Sequence, residues 1–418
     1  MSASQPLANP HAARATAGAP RFAIRRLALQ DYRCYAHLAL EVDGRSVVLT
    51  GPNGAGKTNL LEALSFLAPG RGLRGARLAE ARRIGGGPWA VSASLATPDG
   101  ERRIGTGPDP DNQPASGAGA AATIDEAGRR GEKRIVRLDG EPAKGPSSLS
   151  EIVSVLWLTP AMDRLFVEGA SGRRRFLDRL VFGLDPAHAG RVSGYERAMR
   201  ERARLLRGAG QRGGADPAWL AALEQTMAER AVAIAAARHD AVAQLNAAAA
   251  DSPGPFPTAE IAVTGTPEDW LAEAPALACE ERLMKGLAAS RAQDGETGGS
   301  AIGPHRSDLA VRHAARRMPA HLCSTGEQKA MVVGIVMANA RLQGQLRGAA
   351  PLLLMDEVAA HFDEAHRRAL FAEIETLGAQ AWLTGTDAAL FAPMGERAQF
   401  FRVAAATVVA AAAAARPN

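Results

Sequence analysis

Eight residues constrain this chain more than any others: Gly51-Pro52-Asn53-Gly54-Ala55-Gly56-Lys57-Thr58, a complete G-x-x-x-x-G-K-[ST] phosphate loop. Ser46-Val47-Val48-Leu49-Thr50 before it reads as a short buried strand, and Asn59 to Leu67 after it carries apolar residues at helical spacing. Strand, glycine loop, helix is the order that separates a nucleotide site from a chance turn. Gly51, Gly54 and Gly56 permit backbone angles that turn successive N–H groups onto phosphate oxygens, and the helix N-terminus adds partial positive charge on the same side. Lys57 is expected to reach the β- and γ-phosphates, and the Thr58 hydroxyl to ligate Mg²⁺. Candidate contacts with ATP thus run from Gly51, Pro52, Asn53, Gly54, Ala55 and Gly56 through Lys57 and Thr58 to Asn59.

A second acidic element lies far downstream. Pro351-Leu352-Leu353-Leu354-Met355-Asp356-Glu357 is an unbroken apolar run ending in two acids, the form of a Walker B strand. Asp356 is expected to hold Mg²⁺ directly or through water, and Glu357 to polarise the attacking water as general base. Upstream of it, Ser324-Thr325-Gly326-Glu327-Gln328-Lys329 is followed by a helix expected from Ala330 to about Gln343, and a small hydroxyl with a glycine at a helix start makes an anion site or at least an N-cap. Its position resembles the signature of ABC-type ATPases, in which Ser324, Thr325 and Gly326 would meet the γ-phosphate held by an opposite protomer. Ala360-His361-Phe362-Asp363 resembles the D-loop of that class, with Asp363 near the dimer seam. Two departures stand out: no switch histidine follows the strand at Ala381, where Thr384 or Thr386 stands, and no Q-loop glutamine follows Leu158. Both point to slow turnover.

Lys57 and Asp356 lie 299 positions apart, from 57 to 356, more than one compact nucleotide fold needs. A large insertion must leave the head and return to it. The helical patterns of Gly190–Arg207 (Tyr195, Met199, Leu206) and Pro217–Ala249 (Trp219, Leu223, Met227, Ile234) supply it, joined across a glycine-rich break. A helix of about 30 residues spans only about 45 Å, so the arms are short. The expected fold is α/β: an ABC-ATPase-type phosphate-loop head, with mixed sheets around the loop helix, and an inserted α-helical lobe. Its parts are a disordered tail over 1–20, head over 21–165, lobe over 166–300, head again over 301–409, and a flexible tail over 410–418.

Several finer expectations complete the pass. Phe22–Leu29 and His37–Val42 read as strands of a hairpin ahead of the loop, and Tyr32, Arg33 and Tyr35 at its turn either stack near the base or are ordinary hairpin residues. Thr97–Arg134 reads as a flexible loop, Pro267–Arg291 as helix and Asp294–Ser300 as a mobile loop, with Ala301–Val311 leading back into the head sheet. Arg173-Arg174-Arg175 opens a helix and meets either phosphates or carboxylates. A chain of 418 residues, 46% of them hydrophobic, can bury a large core in two or three domains. The net charge of +5 permits a polyanionic partner without requiring one. Three scattered cysteines form no metal or disulfide pattern, and no apolar run is long enough to span a bilayer, so a soluble, cytoplasmic protein is expected.

Taken together, these residues resemble the RecF family of bacterial recombination and gap-repair ATPases, relatives of SMC heads. The resemblance covers Phe22 to about Val409. It rests on Asp31-Tyr32-Arg33, on Gly51–Leu61, and on Gly169–Asp178 with its Arg-Arg-Arg-Phe-Leu-Asp. The pairing of Gly303-Pro304-His305-Arg306-Ser307-Asp308-Leu309 with Ser324–Lys329 is more specific still. The tail, the 97–134 segment, Cys323 in place of a signature leucine and the alanine-rich C-terminus depart from it. The resemblance implies an ATPase active in DNA repair, recombination and replication that forms an ATP-dependent homodimer. It implies binding to single-stranded, double-stranded and gapped DNA, and work with RecO and RecR to direct RecA. Each site would combine Lys57, Thr58, Asp356 and Glu357 of one subunit with Ser324 and Gly326 of the other. Two other readings remain: the ATPase subunit of a transporter, and an ATP-dimerised scaffold without significant hydrolysis.

Overall fold

The computed structural model describes residues 22–110, 133–209, 216–251 and 256–413. The expected N-terminal tail, most of the glycine-rich break at 210–215, the centre of the 97–134 segment and residues 414–418 lie outside these. The chain opens with strands β1 (Ala23–Tyr32) and β2 (Tyr35–Glu41), then β3 (Ser46–Thr50) and helix α1 (Lys57–Ser65). Strands β4 (Ala90–Thr97), β5 (Gly100–Pro108), β6 (Arg134–Leu138) and β7 (Glu141–Pro142) follow, then α2 (Leu149–Ile152) and β8 (Val155–Leu158). Next come α3 (Ala170–Leu184), α4 (His188–Ala209), α5 (Pro217–Ala250), β9 (Ala259–Thr264), α6 (Thr266–Glu273), α7 (Ala276–Ala289) and α8 (Arg291–Thr297). The rest comprises β10 (Asp308–His313), β11 (Met318–Pro319), α9 (Thr325–Arg347), β12 (Leu352–Met355), α10 (Glu364–Thr376), β13 (Ala381–Gly385), β14 (Ala398–Ala404) and β15 (Thr407–Ala411).

Two six-stranded sheets frame the nucleotide loop. One is antiparallel, in the order β2-β1-β4-β5-β6-β7. The other runs β15-β14-β3-β13-β12-β8 and is parallel except at β15. Its central strands β3, β12 and β13 are buried at every residue, which is why they read as unbroken apolar runs rather than alternations. Helix α1 packs on β12 and β13, and just past its end Phe66 meets Tyr32 of β1 and Trp89 ahead of β4. The Gln380 amide stitches the sheets together: its Oε1 accepts from Ile24 N (2.7 Å) and its Nε2 donates to Ile24 O (3.1 Å).

The α/β class and the mixed sheets around α1 are as expected, and four details differ. Gly100–Pro108 is strand β5, paired with β4 over Gly100–Thr106, not loop; its glycines and charges hide an alternation that buries Ile104 and Thr106. Asp294–Ser300 begins in helix α8, anchored because the buried Asp294 carboxylate receives Arg202 at 2.7 Å. The 267–291 helix breaks at Ala274-Pro275 into α6 and α7. Strand β10 joins β9 and β11 in a separate three-stranded sheet instead of a head sheet. In the inserted region Tyr195, Met227, Ile234, Cys279 and Leu283 form their own apolar cluster, whereas α3 and the end of α5 share the main core. Trp219 is half exposed and stands outside that cluster.

Candidate phosphate-loop site

The loop between β3 and α1 is tied to its neighbours by backbone. Gly51 N donates to Gly385 O at the end of β13 (3.3 Å), and Ala55 O accepts from Ala406 N (3.3 Å). Gly51 has φ +151°, and a Cβ there would lie 2.1 Å from Val403 O on β14. At Gly56, φ +112°, a Cβ would come within 2.7 Å of the Tyr35 hydroxyl, which itself donates to Gly56 O at 3.2 Å. Both positions therefore need glycine for space as well as for angle. Pro52, Asn53 and Gly54 at the rim are exposed.

Lys57 turns back onto its own loop, donating to Gly51 O (2.7 Å) and Pro52 O (2.9 Å). Burial pushes its pKa down, and the Glu357 and Asp356 charges oppose that shift. Thr58 Oγ1 donates to the Asp356 carboxylate, 2.9 Å from Oδ1 and 3.1 Å from Oδ2. Strand β12 sets this meeting: it lies between β8 and β13 with Met355 level with both Leu158 and Leu383, so Asp356 emerges at the shared carboxyl edge. That edge is where open α/β sheets take ligands. Asp356 N donates to Leu158 O (2.9 Å), which fixes the residue further. Its carboxylate also receives the Thr384 hydroxyl at 2.7 Å, and the same hydroxyl accepts Glu357 N at 2.9 Å. Glu357 itself stands at φ 52°, ψ 21°.

A hydroxyl and one carboxylate oxygen side by side suit Mg²⁺, which takes one or two protein oxygens and fills its octahedron with water and phosphate. Among the described residues no cluster of three or more His, Cys, Asp or Glu forms a separate metal cage.

The other predicted residues lie apart from this centre. Ser324 caps α9 in a capping box, with its backbone N donating to Glu327 Oε2 (3.0 Å) and its hydroxyl accepting from Glu327 N (3.4 Å). Ser324, Thr325 and Gly326 are all exposed, and a Cβ on Gly326 would meet nothing within 4 Å. Among the described residues no hydrogen bond joins this turn to the phosphate loop or to Asp356. Asp363 is exposed and caps α10, accepting from His366 N at 2.8 Å. Asn59 faces sideways, donating to Cys34 Sγ (3.2 Å) and accepting from Arg74 (2.9 Å).

The stacking role for Tyr32, Arg33 and Tyr35 is not what these residues do here. Both tyrosines are buried, Tyr32 edge-on to Phe66 and Trp89, and Arg33 is paired with Glu62 of α1. Glu62 escaped the sequence reading, and its one signal is a carboxylate set inside the apolar face Leu60-Leu61-Glu62-Ala63-Leu64. In the arginine run, Arg173 grips Asp308 with two hydrogen bonds (2.7 and 2.8 Å) and Arg174 donates to Ser307 O (2.8 Å). Carboxylate and carbonyl, not phosphate, are thus the partners of these two.

A phosphate loop between two sheets, with an insertion ahead of its acidic strand, defines a class of ATPase head. The family model described as the RecF/RecN/SMC N terminal domain matches residues 23–407. The fold is also that of a solved "recombination mediator protein RecF-ATP in RecFOR pathway", with TM-score 0.75 and 19% identity over 96% of this chain and 100% of that one. An Smc head domain with an extended coiled coil from Pyrococcus furiosus aligns at TM-score 0.50 and 14% identity, covering 94% of this chain and 96% of the other. Within the class, the chain is 49% identical over 388 residues to the "DNA replication and repair protein RecF" of Mesorhizobium japonicum, covering 92% of this chain and 97% of that one. It is 46% identical to the protein so named in Rhizobium etli, covering 92% and 98%. The chain belongs to the RecF family.

Proposed function

We propose that this protein is an ATP-driven clamp on DNA, closing head to head around two ATP molecules and opening when they are hydrolysed. The observation that carries the reading is the meeting of Thr58 and Asp356, 2.9 Å apart, at a phosphate loop whose remaining partner, the Ser324–Gly326 turn, lies exposed on the molecule's own surface. The loop N–H groups and Lys57 bind the triphosphate once Lys57 leaves its two carbonyls. Thr58 and Asp356 would hold Mg²⁺, which neutralises charge on the β- and γ-phosphates. Glu357 takes the proton of the attacking water. Ser324, Thr325 and Gly326 of a second copy cover the γ-phosphate, with Asp363 beside the seam. Hydrolysis removes the group that both copies hold, and the pair separates. Without a switch histidine or Q-loop glutamine, the turnover is slow.

The DNA part of the reading is carried over from relatives named for DNA replication and repair and from a fold relative described as a recombination mediator in the RecFOR pathway. On that basis single-stranded, double-stranded and gapped DNA are the polymer partners, with RecO and RecR as co-workers, RecA as the indirect beneficiary and the cytoplasm as the location. Phosphate contacts would dominate, so binding weakens with salt and shows little sequence preference. The transporter reading is disfavoured by the family, and no helix among the described residues is long and apolar enough to cross a membrane.

Sedimentation with saturating ATP tests the clamp. Glu357→Gln is expected to accumulate as a stable dimer, and Lys57→Ala to stay monomeric. A monomeric Glu357→Gln protein would remove either the base or the clamp from this account, and turnover indifferent to gapped DNA would remove the polymer.

A further inference from the structure

We propose that Thr384 is the positioning residue of the hydrolytic site: one buried hydroxyl sets both the carboxylate of Asp356 and the backbone of Glu357. The inference rests on the reading of those two acids as the hydrolytic pair. Thr384 lies on the fully buried β13 and is 1% exposed, while Thr386, two residues on, is exposed. A threonine hydroxyl has one hydrogen to give and lone pairs to accept with. Here the hydrogen goes to Asp356 Oδ1 at 2.7 Å and a lone pair takes Glu357 N–H at 2.9 Å.

Both bonds matter because of the backbone they brace. Glu357 sits at φ 52°, ψ 21°, a left-handed conformation that residues with a Cβ keep only where their surroundings impose it. In that conformation its N–H turns toward β13, and Thr384 catches it. Asp356 is shared between two hydroxyls of different standing. Thr58 can keep its hydrogen on the carboxylate while an oxygen lone pair takes a metal, and Thr384 holds Oδ1 from within the sheet. The Thr384 bond thus fixes Oδ1, while among the described residues Oδ2 is reached only by the Thr58 hydroxyl at 3.1 Å. A buried threonine near the end of β13 thus holds the acids from behind, from within the sheet.

The test compares Thr384→Val, which keeps the shape and loses the hydroxyl, with Thr384→Ser, which keeps the hydroxyl. Residues that orient catalytic groups typically change activity by about 10–100-fold. Thr384→Val is therefore expected to bind ATP within about threefold of wild type and still to dimerise, but to turn over about 10–100-fold more slowly. The lifetime of its ATP-bound dimer should lengthen by a similar factor, with Thr384→Ser close to wild type in both. A merely structural loss would give the opposite: less dimer, shorter-lived, together with a lower melting temperature. If Glu357→Gln traps the dimer and Thr384→Val does not slow turnover, or if serine fails to rescue, the positioning role is wrong and the clamp stands. If Glu357→Gln fails to trap it, the clamp reading and this inference fall together.

Discussion

Glu62 has a fully buried side chain, and two arginines converge on it: Arg33 from the hairpin turn, and Arg74 at 3.0 Å from the segment after α1. It lies four residues after Thr58 on the same helix, so these pairs pin the helix that carries the hydroxyl facing Asp356. Removing one member of a buried pair leaves the other charge uncompensated, which typically costs 3–5 kcal/mol. Arg33 keeps some solvent access, so Glu62→Ala is expected to destabilise the fold by about 3 kcal/mol, read as a lower urea midpoint at unchanged slope. An unshifted midpoint would show that the ion pairs are decorative. The phosphate loop was legible in the sequence because all its residues are contiguous and its flanks are local. Glu62 with Arg33 was not, because the contact spans 29 positions across a hairpin whose register no local pattern states. The choice between Thr384 and Thr386 was open for another reason: residues two apart in a strand share a face, so it depends on where β13 ends, which is at Gly385, one residue short of Thr386.

Two of the motifs that carry the family resemblance, Gly169–Asp178 and Gly303–Leu309, prove to be one contact region. Asp178, at the end of the Arg-Arg-Arg-Phe-Leu-Asp run on α3, receives Arg238 of α5 at 2.9 and 3.0 Å. Arg238 also donates to Pro304 O at 2.8 Å, and Ser307 donates to Glu268 of α6 at 2.6 Å. Burial pushes the Asp178 carboxyl up, but Arg238 and His188 outweigh it and hold the pKa near about 2, below the ordinary 3.8. A depressed carboxyl pKa contributes stability that is present above the unfolded value and is lost as the pH falls through the folded one. The margin by which wild type exceeds Asp178→Asn should thus be widest near neutrality and shrink by about 2 kcal/mol between about pH 4 and pH 2. Urea titrations of the two proteins across that range measure it, and a pH-independent margin would refute the charge pairing. At this scale the sequence showed strands and helices wherever apolar periodicity was strong. It failed at β5 and α8, whose order comes from a cross-strand partner and a buried ion pair rather than from their own composition.

For the molecule as a whole, the decisive observation is that among the described residues no hydrogen bond joins the phosphate loop to the exposed Ser324 turn. If each pocket takes its halves from two copies, two inactive variants can complement one another. Lys57→Ala retains a sound turn, and Ser324→Arg retains a sound loop. Each alone is expected to be inactive, with Ser324→Arg still binding ATP as a monomer, whereas a mixture contains heterodimers with one complete pocket and regains part of the turnover. No recovery on mixing would place both halves of the site in one chain, and wild-type activity in Ser324→Arg alone would remove the turn from the site. Helix α9 gives this arrangement a further property. Its 23 residues make a rod of about 35 Å that starts at the exposed turn and packs against α5 in the inserted region and β8 in the head. A helix of that length moves largely as one body. In the proposed clamp, anything that leans on the inserted helices would therefore tilt the turn offered to a second copy, so that load on one side of the molecule would be felt as fit on the other.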